Sequence, residues 1–336
     1  MPIVETRDLR KVFRSLVRRP GIAGAVRSLF SREYEDKIAV HDVNLAIEPG
    51  ELIGYIGPNG AGKSTTIKML TGILVPTSGE ITVAGIVPHA QRQHNAVNIG
   101  VVFGQRSQLY WDLPLRDSFE LLRAIYDVPP QRFRENLKQF SEILDLERFL
   151  DTPVRQLSLG ERMRGDFAAA LMHDPRIVYL DEPTIGLDVV AKEAIREFIA
   201  RINRERGTTV LLTTHDLADV ERLSRRIVLI DRGTVIYDGS IERLRDRFGT
   251  HRVLVVNLAE SCDDLAVDGA DTFVREAMTV RYRFDRHRIS AEALIRQVAE
   301  KCRISDVQIV EPDIESIVRH IYLEGFDESA VEEFVP

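Results

Sequence analysis

The chain has 336 residues, of which 44% are hydrophobic and 29% charged, and a formal net charge of −7. These values suit a soluble globular protein with room for two domains, or for one large domain with an appendage. They argue against general nucleic-acid binding, no stretch approaches the roughly 18 uninterrupted apolar residues of a membrane span, and the start, Met1-Pro2-Ile3-Val4-Glu5-Thr6-Arg7, lacks the apolar core of a signal peptide.

In chain order, residues 3–13 alternate as a strand does. A basic stretch from about residue 15 to 36 then interrupts the pattern, with Pro20-Gly21 inside it. Arg10, Lys11, Arg14, Arg18, Arg19, Arg27 and Arg32 run without an intervening acid, interleaved with Leu16, Val17, Ile22, Val26, Leu29 and Phe30. Such a stretch suits an anionic membrane surface, a partner helix or, equally, a solvated surface insertion. Residues 40–47 read as a strand, 48–51 as a turn and 52–56 as a buried strand. After a glycine-rich loop, residues 65–70 read as a helix; short strands follow at 79–85 and 99–103. Phe119, Leu122 and Tyr126 then have helical spacing, Pro129-Pro130 opens a second helix through Leu144, and residues 159–172 form a third. The α/β alternation resumes with strands at 177–180, 209–213 and 227–230, helices at 190–206 and 217–223, and a hairpin strand between Gly233 and Gly239. From about residue 246 the character changes to a small α+β domain. Its strands lie at 252–258, 279–284 and 307–310, its helices at 291–302 and 314–322, and an acidic tail begins at Glu324. Cys262 and Cys302 match no metal or redox spacing and read as reduced core residues.

The glycine-rich loop, Gly57-Pro58-Asn59-Gly60-Ala61-Gly62-Lys63-Ser64, fits G-x-x-x-x-G-K-[ST]. Its glycines let several backbone N–H groups turn toward one anion. The loop feeds a helix N-terminus, where the macrodipole favours negative charge. Lys63 offers a point charge to the β- and γ-phosphates, and Ser64 a hydroxyl to Mg²⁺. Gly57, Asn59, Gly60, Gly62, Lys63, Ser64 and Thr65 are thus the expected nucleotide-contacting set. Asp181-Glu182 ends an apolar strand. In a parallel sheet that end lies beside the phosphate loop, so Asp181 is a candidate for the metal and Glu182 for the attacking water.

The order of motifs over residues 3–240 resembles the nucleotide-binding subunits of ABC transporters. The resemblance implies a P-loop NTPase of ABC type: a mixed α/β sheet core over residues 1–245, with an inserted helical subdomain at about 106–174, and a C-terminal α+β accessory domain at 246–336. Gln105 stands at the family's Q-loop glutamine, a contact for Mg²⁺ or the water. Leu157-Ser158-Leu159-Gly160-Glu161-Arg162 stands at the signature, usually L-S-G-G-Q. Asp188 ends the D-loop, His215 is the switch histidine, and Phe13 is the aromatic that stacks on adenine, with Tyr34 a weaker candidate. Leu159 and Glu161 depart from the family pattern, whereas the phosphate-facing Ser158 and Gly160 are kept.

The family implies that Ser158 and Gly160 meet a phosphate of ATP held by a second copy of the chain, and that Asp188 links the two sites. It implies catalytic roles for Glu182, His215 and Gln105. The insertion, the D-loop wording and the C-terminal domain resemble the ATPases of ABC-2 type exporters. The implied partners are therefore separate ABC-2 permease subunits, with the chain peripheral on the cytoplasmic face of the membrane. Tyr110 and Trp111 are candidates for an exposed permease-facing groove, or for ordinary core. An importer ATPase and a soluble non-transport ABC ATPase are the alternatives.

Overall fold

Strands β3 (Leu52–Ile56), β6 (Ile177–Asp181), β7 (Thr209–Thr213) and β8 (Arg226–Asp231) are almost continuously apolar and buried on both faces. That pattern belongs to a parallel sheet covered on both sides. The computed structural model, which describes residues 1–16, 34–104, 106–214, 216–248, 251–262, 264–276, 278–311 and 313–324, contains such a sheet. Most of the basic stretch, together with Gln105, His215 and the acidic tail, lies outside the described residues. Two compact units divide the chain, residues 1–238 and 239–336.

In the first unit the sheet order is β5-β6-β7-β3-β8-β9, with β5 (Ile99–Phe103) parallel to β6 and β9 (Thr234–Ser240) beside β8. Arg232 and Gly233, at φ 46° and 85°, make the tight turn between β8 and β9. A second, antiparallel sheet has the order β2-β1-β4, from β1 (Val4–Leu16), β2 (Tyr34–Ile47) and β4 (Ser78–Val83). Helix α1 (Lys63–Leu70) shares one core with both sheets: Ile67, Met69 and Leu70 pack with Val4 and Ile47 and with Ile53 and Tyr55. An eight-residue helix is too short to persist alone, so this burial holds it in place. Because β3, β5, β6 and β7 run parallel, the residues that follow them meet on one rim of the sheet.

Between β5 and β6 the chain forms α3 (Leu115–Ile125), α4 (Pro130–Leu144) and α5 (Leu159–Leu171). Phe140 of α4 and Phe167 of α5 both pack edge-on against Phe198 of α6 (Val189–Arg206), at 5.5 and 6.1 Å. Three aromatic rings thus tie the inserted helices to the sheet's own layer. A short helix α2 (Arg92–Asn98) precedes β5 and was not expected from sequence. It has no apolar face; its single buried residue, Asn95, donates Nδ2 to Leu70 O at 3.2 Å. Strand β2 also starts earlier than the alternation predicts, because its exposed outer half pairs with the end of β1, Leu16 opposite Tyr34.

In the second unit α8 (Ile241–Phe248) packs against α10 (Ile314–Glu324), and Leu244, Ile317 and Ile321 are buried. A four-stranded antiparallel sheet has the order β11-β12-β10-β13, from β10 (His251–Leu258), β11 (Ala270–Glu276), β12 (Thr279–Asp285) and β13 (Ile304–Val310). Leu294 and Val298 of α9 (Ala291–Lys301) cover Leu254, Val256, Val280 and Tyr282. On edge strand β13, Val307 and Ile309 sit in register with buried Val256 and Leu254, yet both are exposed. Cys262 and Cys302 are joined in a disulfide, with Cα atoms 5.9 Å apart, rather than standing as separate thiols. The segment after β10 and the C-terminal end of α9 converge there, a proximity that a sequence separation of 40 residues conceals.

Tyr179 of β6 is fully buried, and its hydroxyl has no hydrogen-bond partner among the described residues. An unsatisfied buried hydroxyl costs about 1–3 kcal/mol. Tyr179→Phe is therefore expected to raise the unfolding free energy by about 1 kcal/mol in a urea titration. A lower midpoint for the variant would mean that the hydroxyl is in fact bonded.

Candidate active site

The phosphate loop leaves β3 at Gly57 and enters α1 at Lys63. Gly62 has φ +109°, and a Cβ there would strike the carbonyl oxygen of Ala39, so only glycine fits. Within the loop Ala61 N donates to Pro58 O at 3.1 Å, and Gly233 N, from the β8–β9 turn, donates to Ala61 O at 2.9 Å. Thr66 Oγ1 donates to Gly62 O at 3.1 Å and secures the start of the helix. Lys63 is buried; its Nζ donates to the carbonyl oxygens of Gly57 at 2.6 Å and Pro58 at 3.1 Å. Burial pulls the Lys63 pKa below its ordinary value, while Glu182 and Asp181 hold it up against that pull.

A cleft of about 810 Å³ opens over the loop. Gly57, Asn59, Ser64, Asp181 and Glu182 all line it, so residues more than a hundred positions apart come together as the sequence predicts. Phe103, Gly104 and Arg106, on either side of Gln105, line it too. Asp181 Oδ1 accepts from Thr213 Oγ1 at 2.6 Å and from Ser64 Oγ at 3.3 Å. Glu182 N donates to Thr213 O at 2.9 Å, and Glu182 adopts φ +53°, a left-handed conformation that costs a non-glycine residue about 1–2 kcal/mol. One hydroxyl and one carboxylate at the cleft wall form a small, hard oxygen donor set of the kind Mg²⁺ accepts beside phosphates and water.

The other motif residues are held elsewhere in the unit. Ser158 caps α5 in a reciprocal box: Glu161 N donates to Ser158 Oγ at 3.3 Å, while Ser158 N and Oγ donate to Glu161 Oε2 at 2.9 and 2.8 Å. These bonds hold the Glu161 carboxyl below the usual carboxylate range. Asp188 caps α6, accepting from Ala191 N at 2.8 Å, and a Cβ on Gly160 would touch Ala191 at 3.4 Å. Leu159 lies over Gly186, so the departure in the signature packs onto the D-loop. Neither Ser158, Gly160 nor Asp188 lines the cleft. Phe13 and Tyr34 are exposed on the β1–β2 ribbon, under Lys11 and Arg14 respectively, and do not line the cleft either. Tyr110 and Trp111 are exposed rather than core, with the Arg162 guanidinium 5.7 Å from the Trp111 ring.

Some supporting residues escaped the sequence reading. Thr213 orients Asp181; the Thr213-Thr214 pair before His215 was the available signal. Thr184 Oγ1 donates to Asp219 Oδ2 at 2.6 Å, and Arg196 Nε to Asp219 Oδ1 at 2.6 Å. These bonds, centred on the buried Asp219, tie the segment after Glu182 to α6 and to α7 (Leu217–Leu223). Gly104 has no room for a side chain, because a Cβ there would strike the carbonyl oxygen of Glu182.

A parallel sheet with a phosphate loop and an acid pair on one rim, and a helical insertion opening on a capped serine, defines a P-loop nucleoside triphosphatase of the ABC type. Residues 40–185 match the ABC transporter family. The chain is 35% identical over 218 residues to the ABC transporter ATP-binding protein NatA of Bacillus subtilis (strain 168), covering 64% of this chain and 88% of NatA. It is 36% identical over 213 residues to Nod factor export ATP-binding protein I of Burkholderia pseudomallei (strain 1710b), covering 62% of this chain and 68% of that protein. Its fold is similar to the dimeric post-hydrolysis structure of the ATP-binding cassette MJ0796 bound to ADP and Pi. That likeness has a TM-score of 0.59 and 28% identity, and covers 71% of this chain and 98% of the other. The chain belongs to the ATP-binding subunits of ABC transporters, and it binds and hydrolyses ATP.

The tight fit of Gly104 against Glu182 yields a test. Gly104→Ala should lower ATP turnover at least tenfold, with ATP affinity within about threefold of wild type, because the alanine displaces the acid and spares the phosphate loop. Turnover and nucleotide titration measured side by side would check this; equal loss in both would point to general misfolding.

Proposed function

We propose that the chain powers export through separate ABC-2 type permease subunits, as a homodimer that closes on two ATP molecules. The observation that carries this reading is the absence of Ser158, Gly160 and Asp188 from the cleft that Gly57, Asn59, Ser64, Asp181 and Glu182 line. A capped helix start with an exposed hydroxyl suits a phosphate brought by another copy. Each ATP then joins the phosphate loop of one protomer to Ser158 and Gly160 of its partner. Nucleotide binding favours the closed dimer, and hydrolysis with product release reopens it.

Within each cleft, loop N–H groups and Lys63 hold the phosphates. Glu182 accepts a proton from the attacking water, and Gln105 and His215 order that water and the γ-phosphate. Phe13 stacks on the adenine and Asp188 links the two sites. Ser64 and Asp181, with Gln105, would hold Mg²⁺, which supplies positive charge to the β- and γ-phosphate oxygens.

The likeness to a Nod factor export protein supports export. Exposed Tyr110 and Trp111 support a permease-facing surface on the helical insertion. No helix among the described residues is long and apolar enough to cross a membrane, which suits peripheral attachment at its cytoplasmic face to membrane-spanning partners. Residues 246–336 act as an accessory domain.

Glu182→Gln should leave ATP binding intact, slow turnover at least a hundredfold (about 2.7 kcal/mol of transition-state stabilisation), and trap an ATP-dependent dimer visible by light scattering. Lys63→Ala should abolish ATP binding. A Glu182→Gln protein that turns over normally, or stays monomeric in saturating ATP, would defeat the reading. Co-purification with a permease pair but no solute-binding protein is expected; an associated solute-binding protein would indicate uptake instead.

A further inference from the structure

Asp166 is a buried acid that none of the chemistry above uses. It lies on α5, eight residues beyond Ser158, and is 4% exposed. Its Oδ1 accepts from Ser107 Oγ at 3.0 Å and from Gln108 N at 2.9 Å, and the Leu109 N–H is also directed at the carboxylate. Gln108 Nε2 returns to the main-chain oxygen of Asp166 at 3.0 Å, and Leu109 N donates to Ser107 Oγ at 3.1 Å. Tyr110 N donates to Ser118 Oγ of α3 at 3.3 Å. Each residue from 107 to 110 is therefore fastened to α5, to α3 or to its neighbour, and this run begins two residues after Gln105.

Several donors on one buried carboxylate make a strong, directional anchor. A neutral side chain would fill the same space without the penalty of burying a charge. That penalty is evident: burial pushes the Asp166 pKa up to about 6 against the pull of its donors. The charged neighbour acting on the carboxylate is Arg162, four residues earlier on α5; Arg106 lines, with Asp166 and Phe103 of β5, an adjoining cavity of about 80 Å³. α3 presents the hydroxyl of Ser118 on this side.

We infer that Asp166 is a positioning residue whose carboxylate fastens the segment after Gln105 to the signature helix, so that nucleotide in the cleft and Ser158 at the helix start move as one body. Between Asp166 and Ser158 run about two helical turns, some 12 Å of rigid rod. The inference rests on the proposed role of Ser158 toward a second copy's ATP. Since the folded pKa lies above the ordinary aspartate value, the ionised form lowers stability above about pH 6, and this cost fades as pH falls through that value.

The experiment uses the full chain with Asp166→Asn, Ser107→Ala and both together. Asp166→Asn should lower kcat at least fivefold at pH 7.5, leave the ATP KM within twofold, and raise Tm at pH 7.5 more than at pH 5. Ser107→Ala should lower kcat by a smaller factor and add nothing in the Asp166→Asn background. It should also move the acid-side midpoint of wild-type turnover to higher pH, because the carboxylate loses a donor. Additive effects, or wild-type kcat in Asp166→Asn, would overturn the inference. If Asp166→Asn does not fold, an unmoved acid-side midpoint in Ser107→Ala overturns it instead. Ser158→Ala in the Glu182→Gln background separates the two readings. Dimerisation that survives Ser158→Ala defeats the shared-ATP reading; dimerisation lost there, with Asp166→Asn turning over normally, defeats only the role of Asp166.

Discussion

Side chains on a strand alternate between faces, so two consecutive acids at a strand end should point apart. Asp181 and Glu182 nevertheless line the same cleft. The left-handed backbone at Glu182 turns the chain at that one residue and brings the second carboxylate round to join the first. The surroundings enforce this costly conformation. The peptide nitrogen of Glu182 is bonded to β7, its carbonyl is packed against a residue with no side chain, and Thr184 is held by a buried aspartate. Strain retained at such a place is the expected mark of a working site. It lets two consecutive carboxylates from a single strand end face one cleft.

The remaining support is a matter of which groups are kept off water. Asp219 is almost fully buried, yet both its oxygens are satisfied, one by Thr184 and one by Arg196. Removing Arg196 would strand the Asp219 charge, at a cost of about 3–5 kcal/mol for a buried pair, whereas removing the Thr184 hydroxyl would cost one hydrogen bond. Lys63 is the counterpart on the cation side, with loop carbonyls as acceptors and two carboxylates nearby. The rim thus gathers a cation, two carboxylates and a helix start around the phosphate loop.

Much of this was legible in the chain of letters, and for identifiable reasons. Continuous apolar runs marked the parallel strands, and the glycine-lysine-serine loop marked their functional rim. Pro130 and Ser158 announced helix starts that the structure contains. What stayed hidden depended on partners distant in sequence. Helix α2 and strand β11 carry weak periodicity and take their shape from neighbours. Gly104 resembles any loop glycine until Glu182 is set against it, and Asp166 resembles a stray polar residue until Ser107 and Gln108 close over it. The cysteines read as separate thiols because nothing local says that the C-terminal end of α9 returns to the segment after β10. The effect of Leu159 was equally unreadable, since its seat is a glycine on another loop.

One edge of the second unit's sheet is β13, which among the described residues is paired on one side only and leaves Val307, Ile309 and Val310 open to water. A rim of unused amides flanked by branched aliphatic side chains is a template for further strands. Residues 239–336, if excised and concentrated, would therefore tend to stack edge upon edge into insoluble ribbons, and a lysine at position 309 would be the economical way to keep such a fragment in solution.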